Sequence, residues 1–135
     1  MEIIYSLSEI DLIAKKVCDS VIHPIVTFNG QMGSGKTTLI KSICKHLNFQ
    51  ENISSPTFSL VNTYVNTSNK IIHHFDLYRI KSFEEAMDFG VEEYLDSGNT
   101  CLIEWPKKID KLLKSPMNQI EIQIIDDNKR KISLK

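Results

Sequence analysis

The chain has 135 residues, 41% of them hydrophobic and 24% charged, and its 16 Lys and Arg against 17 Asp and Glu leave a formal net charge of −1 at pH 7. That length specifies one domain, residues 1–135, with a real core and no room for a second substrate domain of any size. The near-neutral balance excludes a general basic field for gripping nucleic acid, and no apolar run approaches the ~20 residues of a membrane span.

Cys18, Cys44 and Cys101 are odd in number, widely spaced and set in apolar segments, which indicates reduced core thiols instead of disulfides or a metal site. Met1-Glu2-Ile3-Ile4 lacks the layout of a signal peptide, so a cytoplasmic location is expected.

Glu2 to Leu7 reads as a short strand. Ser8-Glu9-Ile10-Asp11 resembles a capping box opening a helix whose Ile10, Ile13, Ala14, Val17 and Val21 form one apolar face. His23-Pro24 ends that helix, and Pro24 to Phe28 is a short β-prone run. There follows Gly30-Gln31-Met32-Gly33-Ser34-Gly35-Lys36-Thr37-Thr38, which fills the phosphate-wrapping pattern GxxxxGK[ST]. Leu39, Ile40, Ile43, Cys44 and Leu47 then recur at helical spacing, completing the strand, loop and helix that the pattern requires.

Each residue type in the loop has a physical task. The glycines let successive N–H groups converge on phosphate oxygens, and the helix start adds its partial positive charge at the same place. Lys36 is expected to reach the β- and γ-phosphates, and the Thr37 hydroxyl to ligate Mg²⁺.

Past a polar loop from Asn48 to Ser55, the second half of the stretch 54–64 is β-prone. Asn66 to Asn69 makes a turn and Lys70 to Asp76 returns as a strand, an antiparallel ribbon on an otherwise parallel sheet. Ser82-Phe83-Glu84-Glu85 has capping-box form and opens a helical stretch interrupted at Gly90 and resumed to Leu95. Thr100 to Glu104 is a short buried strand ending in a carboxylate, and Pro106 to Lys114 a short helix. Asn118 to Asp126 and Arg130 to Leu134 close the chain as a hairpin, whose alternating Ile120, Ile122 and Ile124 suit a half-buried edge. The fold class is therefore α/β: a single-domain P-loop NTPase with a mixed, mostly parallel sheet, helices on both faces and an antiparallel C-terminal edge hairpin.

A P-loop ATPase needs a carboxylate at the C-terminal end of a neighbouring strand, to hold Mg²⁺ or orient the attacking water. Glu104 and Asp76 both stand at such ends. Thr57, on the loop after the P-loop helix, is placed as a switch threonine would be, its approach stiffened by Pro56. Other matches carry less. Asp88-Phe89-Gly90 spells a kinase motif without the rest of a kinase and reads as a helix break. Lys107-Lys108-Ile109-Asp110 falls one residue short of a guanine-reading motif. His73 and His74 are adjacent on a strand and so point to opposite faces. Lys107, Lys108, Lys111 and Lys114 read as a solvated face in preference to a dock for a partner or tRNA.

Taken together, GQMGSGKTT at 30–38, SPTFSLVNTY at 55–64, HFDLYRI at 74–80, EAMDFGVEEYL at 85–95 and CLIEWP at 101–106 resemble the TsaE family, the small bacterial ATPases of tRNA threonylcarbamoyladenosine synthesis. Order and spacing agree across roughly the whole chain; Gln31-Met32 departs from the acid and apolar residue frequent there. The resemblance implies ATP and magnesium as cofactors and a subunit that joins the TsaB and TsaD pair, meeting tRNA only indirectly or transiently. By motif it makes Lys36 and Thr37 phosphate and Mg²⁺ residues, Glu104 a Mg²⁺ residue, Asp76 essential to hydrolysis and close to the metal, and Thr57 part of a switch-like loop. It also implies adenine contacts near Ser8 and Asn128. Two other readings fit a P-loop. A small-molecule kinase would need an arginine-rich lid, whereas the chain has only Arg79 and Arg130. A non-hydrolysing nucleotide-binding assembly subunit would not need two acids beside the loop.

Overall fold

In a computed structural model of the chain, residues 1–50, 53 and 60–135 are described. The expected Pro56–Thr57 switch stretch lies outside them. Seven strands form one sheet in the order β1-β7-β6-β2-β5-β4-β3. Here β1 is Glu2–Ser6, β2 Ile25–Asn29, β3 Val61–Val65, β4 Ile71–Asp76, β5 Thr100–Glu104, β6 Asn118–Ile124 and β7 Lys129–Leu134. The helices are α1 (Ile10–Ser20), α2 (Lys36–His46), α3 (Phe83–Asp88) and α4 (Val91–Asp96), with 3-10 turns over Leu7–Glu9 and Pro106–Leu112.

The middle strands β6, β2, β5 and β4 run parallel, while β1, β7 and β3 join antiparallel. Strands covered on both sides read as apolar runs, as Ile25–Phe28 and Cys101–Glu104 do, both buried throughout. On one face α1 contributes Ile13, Ala14 and Val17, and α2 contributes Leu39, Ile40, Ile43 and Cys44, against Val26, Phe28, Leu102, Ile120 and Ile122. On the other face Ala86 of α3, Val91 of α4 and Ile109 pack with Ile25, Phe75, Cys101 and Ile103. Gly90, at φ +74°, makes the break between α3 and α4 where the kinase-like triplet had been discounted.

Two details differ from the sequence reading. The helix entry is capped two residues early: the Glu9 carboxylate accepts from the Ser6 amide at 2.8 Å and the Ser6 hydroxyl at 2.9 Å, around the Leu7–Glu9 turn. Glu at the third position has the reach that this reciprocal cap uses. Asp11 instead accepts from the Ser42 hydroxyl and so ties α1 to α2. The C-terminal hairpin also lies one strand in from the edge, because β1 pairs with β7 from Glu2↔Ser133 to Ser6↔Lys129. Alternation along β6 reports one buried face but not which strand lies outside it, and it ends early: Ile120 and Ile122 are buried while Ile124 is 36% exposed.

Candidate functional site

Strands β2, β5 and β4 lie side by side and parallel, so the segments leaving their C-terminal ends open on one edge of the sheet. Ligands of open α/β sheets bind at that edge. From β2 the chain passes through residues 30–35 directly into α2, whose N-cap is Gly35 at φ +104°, a conformation that strains any residue bearing a Cβ. The first amides of α2 have no carbonyl one turn back and concentrate the helix's positive end. Gly30 packs so closely that a Cβ there would meet the Ile122 carbonyl oxygen of β6 at 2.8 Å.

Lys36, only 5% exposed, folds back over this loop. Its Nζ donates to the Gly30 carbonyl at 2.5 Å and the Gln31 carbonyl at 3.1 Å, and stands 4.0 Å from the centre of the Trp105 ring. Burial pushes its amine below the ordinary lysine value, against the pull of the Glu104 and Asp76 carboxylates. The Thr37 hydroxyl lies 2.9 and 3.0 Å from the two carboxylate oxygens of Glu104.

Glu104, 3% exposed, is held from both sides. Its Oε2 is 2.7 Å from Nε2 of the fully buried His74; a carboxylate can only accept, so Nε2–H donates, and Nδ1 faces the Tyr64 hydroxyl at 3.4 Å. Asp76 is the register partner of Glu104 across β4 and β5, and its Oδ1 accepts from the Tyr78 amide at 3.1 Å. Burial raises its carboxyl above the ordinary value; the Tyr78 amide opposes the rise and the Glu104 charge adds to it. Trp105, immediately before Pro106, sits in the left-handed region at φ 59°, which is uncommon for a bulky residue. That turn sets its ring against Lys36 and 5.0 Å from the ring of Tyr78.

The sequence-predicted residues thus converge in part. Gly30, Lys36, Thr37, Glu104 and Asp76 share the edge; Gln31, Met32, Gly33 and Thr38 are exposed along it, and Gly35 is partly exposed. Ser8 and Asn128 come to one corner, where the Leu7 amide donates to the Asn128 carbonyl at 2.9 Å. Thr57 lies outside the described residues. Sequence reasoning passed over three site neighbours. His74 could have been found, two residues before Asp76 and hence on the same face of β4. Trp105 is adjacent to Glu104, but only its unusual backbone brings it to Lys36. Arg130, taken up below, carries no local signal.

These residues fit a magnesium-bound polyphosphate. Among the described residues the Ser34 hydroxyl is buried with no hydrogen-bond partner, an orphaned polar atom inside the loop itself. Thr37, Glu104 and Asp76 offer the hard oxygen donors that Mg²⁺ takes. Among the described residues no three His, Cys, Asp or Glu cluster as a metal site of their own. Among them, too, no helix is long and apolar enough to cross a membrane.

Residues 4–132 match the family model described as Threonylcarbamoyl adenosine biosynthesis protein TsaE. A tRNA threonylcarbamoyladenosine biosynthesis protein TsaE of Rickettsia felis is 43% identical over 99% of this chain and 78% of its own length. The protein of that name from Haemophilus influenzae is 39% identical over 76% and 65% of the two chains, and that from Bacillus subtilis 33% identical over 81% and 67%. Among solved structures, the crystal structure of Bacillus subtilis YdiB superposes with a TM-score of 0.71 at 26% identity, covering 99% of this chain and 84% of that one. The glycine-rich loop, the acids at the strand ends and these likenesses agree: the chain belongs to the TsaE family of tRNA threonylcarbamoyladenosine biosynthesis.

Proposed function

We propose that this chain binds ATP with Mg²⁺ and hydrolyses the ATP while acting with TsaB and TsaD to form the threonylcarbamoyl group on the adenosine beside the anticodon of tRNAs. The observation that carries the reading is the convergence of Lys36, Thr37 and Glu104 at the end of three parallel strands, with Asp76 beside them. When bound, ATP supplies the phosphoanhydride bond that is broken, and Mg²⁺ neutralises its charge.

The chain's own residues have separable tasks. The α2 amides and Lys36 bind and orient phosphate oxygens, which requires Lys36 Nζ to exchange the Gly30 and Gln31 carbonyls for them. Thr37 and Glu104 would hold the metal, and His74 fixes the Glu104 carboxylate from behind. Asp76 is the acid placed to orient the attacking water. Arg79 is exposed and the Arg130 guanidinium is committed to backbone carbonyls, so a partner's cation is the natural supplement to the transition-state charge.

The test is ATP hydrolysis by the chain alone and with the TsaB and TsaD pair. Slow turnover that rises on adding the pair supports the reading. Phosphate transfer to an added small molecule, with no response to the pair, would support a kinase, and binding without turnover under either condition a non-hydrolysing subunit.

A further inference from the structure

We propose that Arg130 is a positioning residue for phosphate binding: it locks the P-loop peptides from beneath and joins them to the Asp126–Lys129 turn. The inference rests on the nucleotide reading given above. Arg130 is the second residue of β7, just after that turn, and is 8% exposed. Its Nε donates to the Ser34 carbonyl at 3.1 Å and its Nη2 to the Gly33 carbonyl at 3.4 Å, while Nη1 donates to the carbonyls of Asp126 at 2.7 Å and Lys129 at 3.0 Å. One guanidinium therefore joins its own turn to a loop whose Ser34 lies 96 positions from Arg130 in sequence.

Peptide planarity turns this contact into a constraint on the site. In a trans peptide the C=O and the following N–H point in opposite directions. Holding the Ser34 carbonyl toward Arg130 therefore turns the Gly35 amide away from it, at the mouth of α2 where phosphate oxygens would be received. The Gly33 carbonyl is held in the same manner, and the Ser34 amide closes a turn onto the Gln31 carbonyl at 3.1 Å. Gly33 and Gly35 both occupy the left-handed region, where glycine has no side-chain restraint of its own, so the orientation of these peptides needs an external holder.

Charge adds a second argument. Burying a cation without a counter-ion is costly, yet Arg130 forms no ion pair among the described residues. Asp126, whose backbone oxygen it holds, spends its carboxylate on the amides of Asn128 and Lys129, each at 2.8 Å. A buried positive charge with no acid partner among the described residues, directly behind the P-loop, would be matched by a polyphosphate in front of it. The same turn accepts the Leu7 amide through Asn128, so Arg130 links the Ser8 and Asn128 corner to the loop.

The test compares binding of Mg·ATP, Mg·ADP and adenosine by calorimetry to the wild-type chain, Arg130→Gln and Arg130→Lys, each first shown to melt cooperatively. Losing charge-assisted hydrogen bonds should weaken ATP and ADP roughly ten- to hundredfold in Arg130→Gln. Adenosine should change by less than about threefold, and Arg130→Lys should recover part of the loss. Equal losses for ATP and adenosine, or none, would overturn the proposal. Should neither variant fold, hydrogen exchange of the Arg130 Nε–H in the wild type decides: it should slow on adding Mg·ADP and not adenosine, and an unchanged rate overturns the inference. A wild-type chain that binds no Mg·ATP would overturn the nucleotide reading itself, whereas normal wild-type binding with an unaltered Arg130→Gln variant removes this inference alone.

Discussion

The Thr37 hydroxyl and the Glu104 carboxylate stand 2.9 Å apart, one at the start of α2 and the other at the end of β5. Two oxygens that close, on the elements flanking the glycine-rich loop, are of the kind that ligate a divalent cation, and in the proposed function they would hold part of a site that phosphates complete. Glu104→Gln keeps the shape and removes the charge. We expect ATP affinity to remain appreciable while hydrolysis falls by roughly two or more orders of magnitude, in line with the loss of a positioned charge. Near-normal turnover in a single-turnover assay would take Glu104 out of the mechanism.

Lys36 cannot hold the Gly30 and Gln31 carbonyls and a triphosphate at once with the same donors, and its ammonium presently lies over the one tryptophan of the chain. Nucleotide binding should therefore change the emission of Trp105. In Lys36→Ala, triphosphate binding should weaken and turnover disappear, and any emission change that remains on titration should be smaller. A fluorescence titration of the two proteins checks this, and an identical response in both would show that Lys36 does not move.

His74 has no exposed surface and links Glu104 to Tyr64. Truncation to Ala would leave a buried carboxylate short of one donor, at a cost of about 1–3 kcal/mol in stability, read as a lowered denaturant midpoint at unchanged m-value. His74→Gln, which can still donate to Glu104, should recover part of it. Equal losses in the two variants would mean that packing, not the hydrogen bond, is what His74 supplies.

Asp76 gives a pH signature. Its carboxyl is raised above the ordinary value of 3.8 chiefly by burial, so the folded chain holds this proton more tightly than the unfolded chain. Its contribution is fully present below the unfolded value and is lost as pH rises through the folded one. Asp76→Asn should accordingly gain stability over the wild type above that window, and the gap should narrow as pH falls toward the ordinary aspartate range. Thermal melts of both proteins from pH 4 to pH 7 give the comparison; a gap that widens on acidification would reverse the sign.

Much of this site was legible because it is local. A nine-residue motif, a strand before it, a helix running on from it and two acids closing apolar runs are all contiguous patterns, and the sheet needed only to set them side by side. Strand order was less accessible. Ile120 and Ile122 announce a buried face, but nothing in their spacing tells that β1 will pair outside β7. The same holds for Arg130, whose four hydrogen bonds among the described residues go to backbone carbonyls, two of them brought near only by folding, so no spacing in the sequence marks it. Ser6 was missed as a cap because Ser8 also stands three residues before an acid, and only the inserted 3-10 turn decides between them.

The two apolar layers each enclose a thiol: Cys44 among the helices α1 and α2, Cys101 among α3, α4 and the Pro106–Leu112 turn. Both are fully covered, and burial pushes each up to about 12. At neutral pH neither will react with an alkylating reagent until its own side of the sheet parts. Labelling rates at the two sulfurs consequently record the breathing of each layer separately, and a ligand that steadies the loop leading into α2, the helix that carries Cys44, should slow that sulfur first.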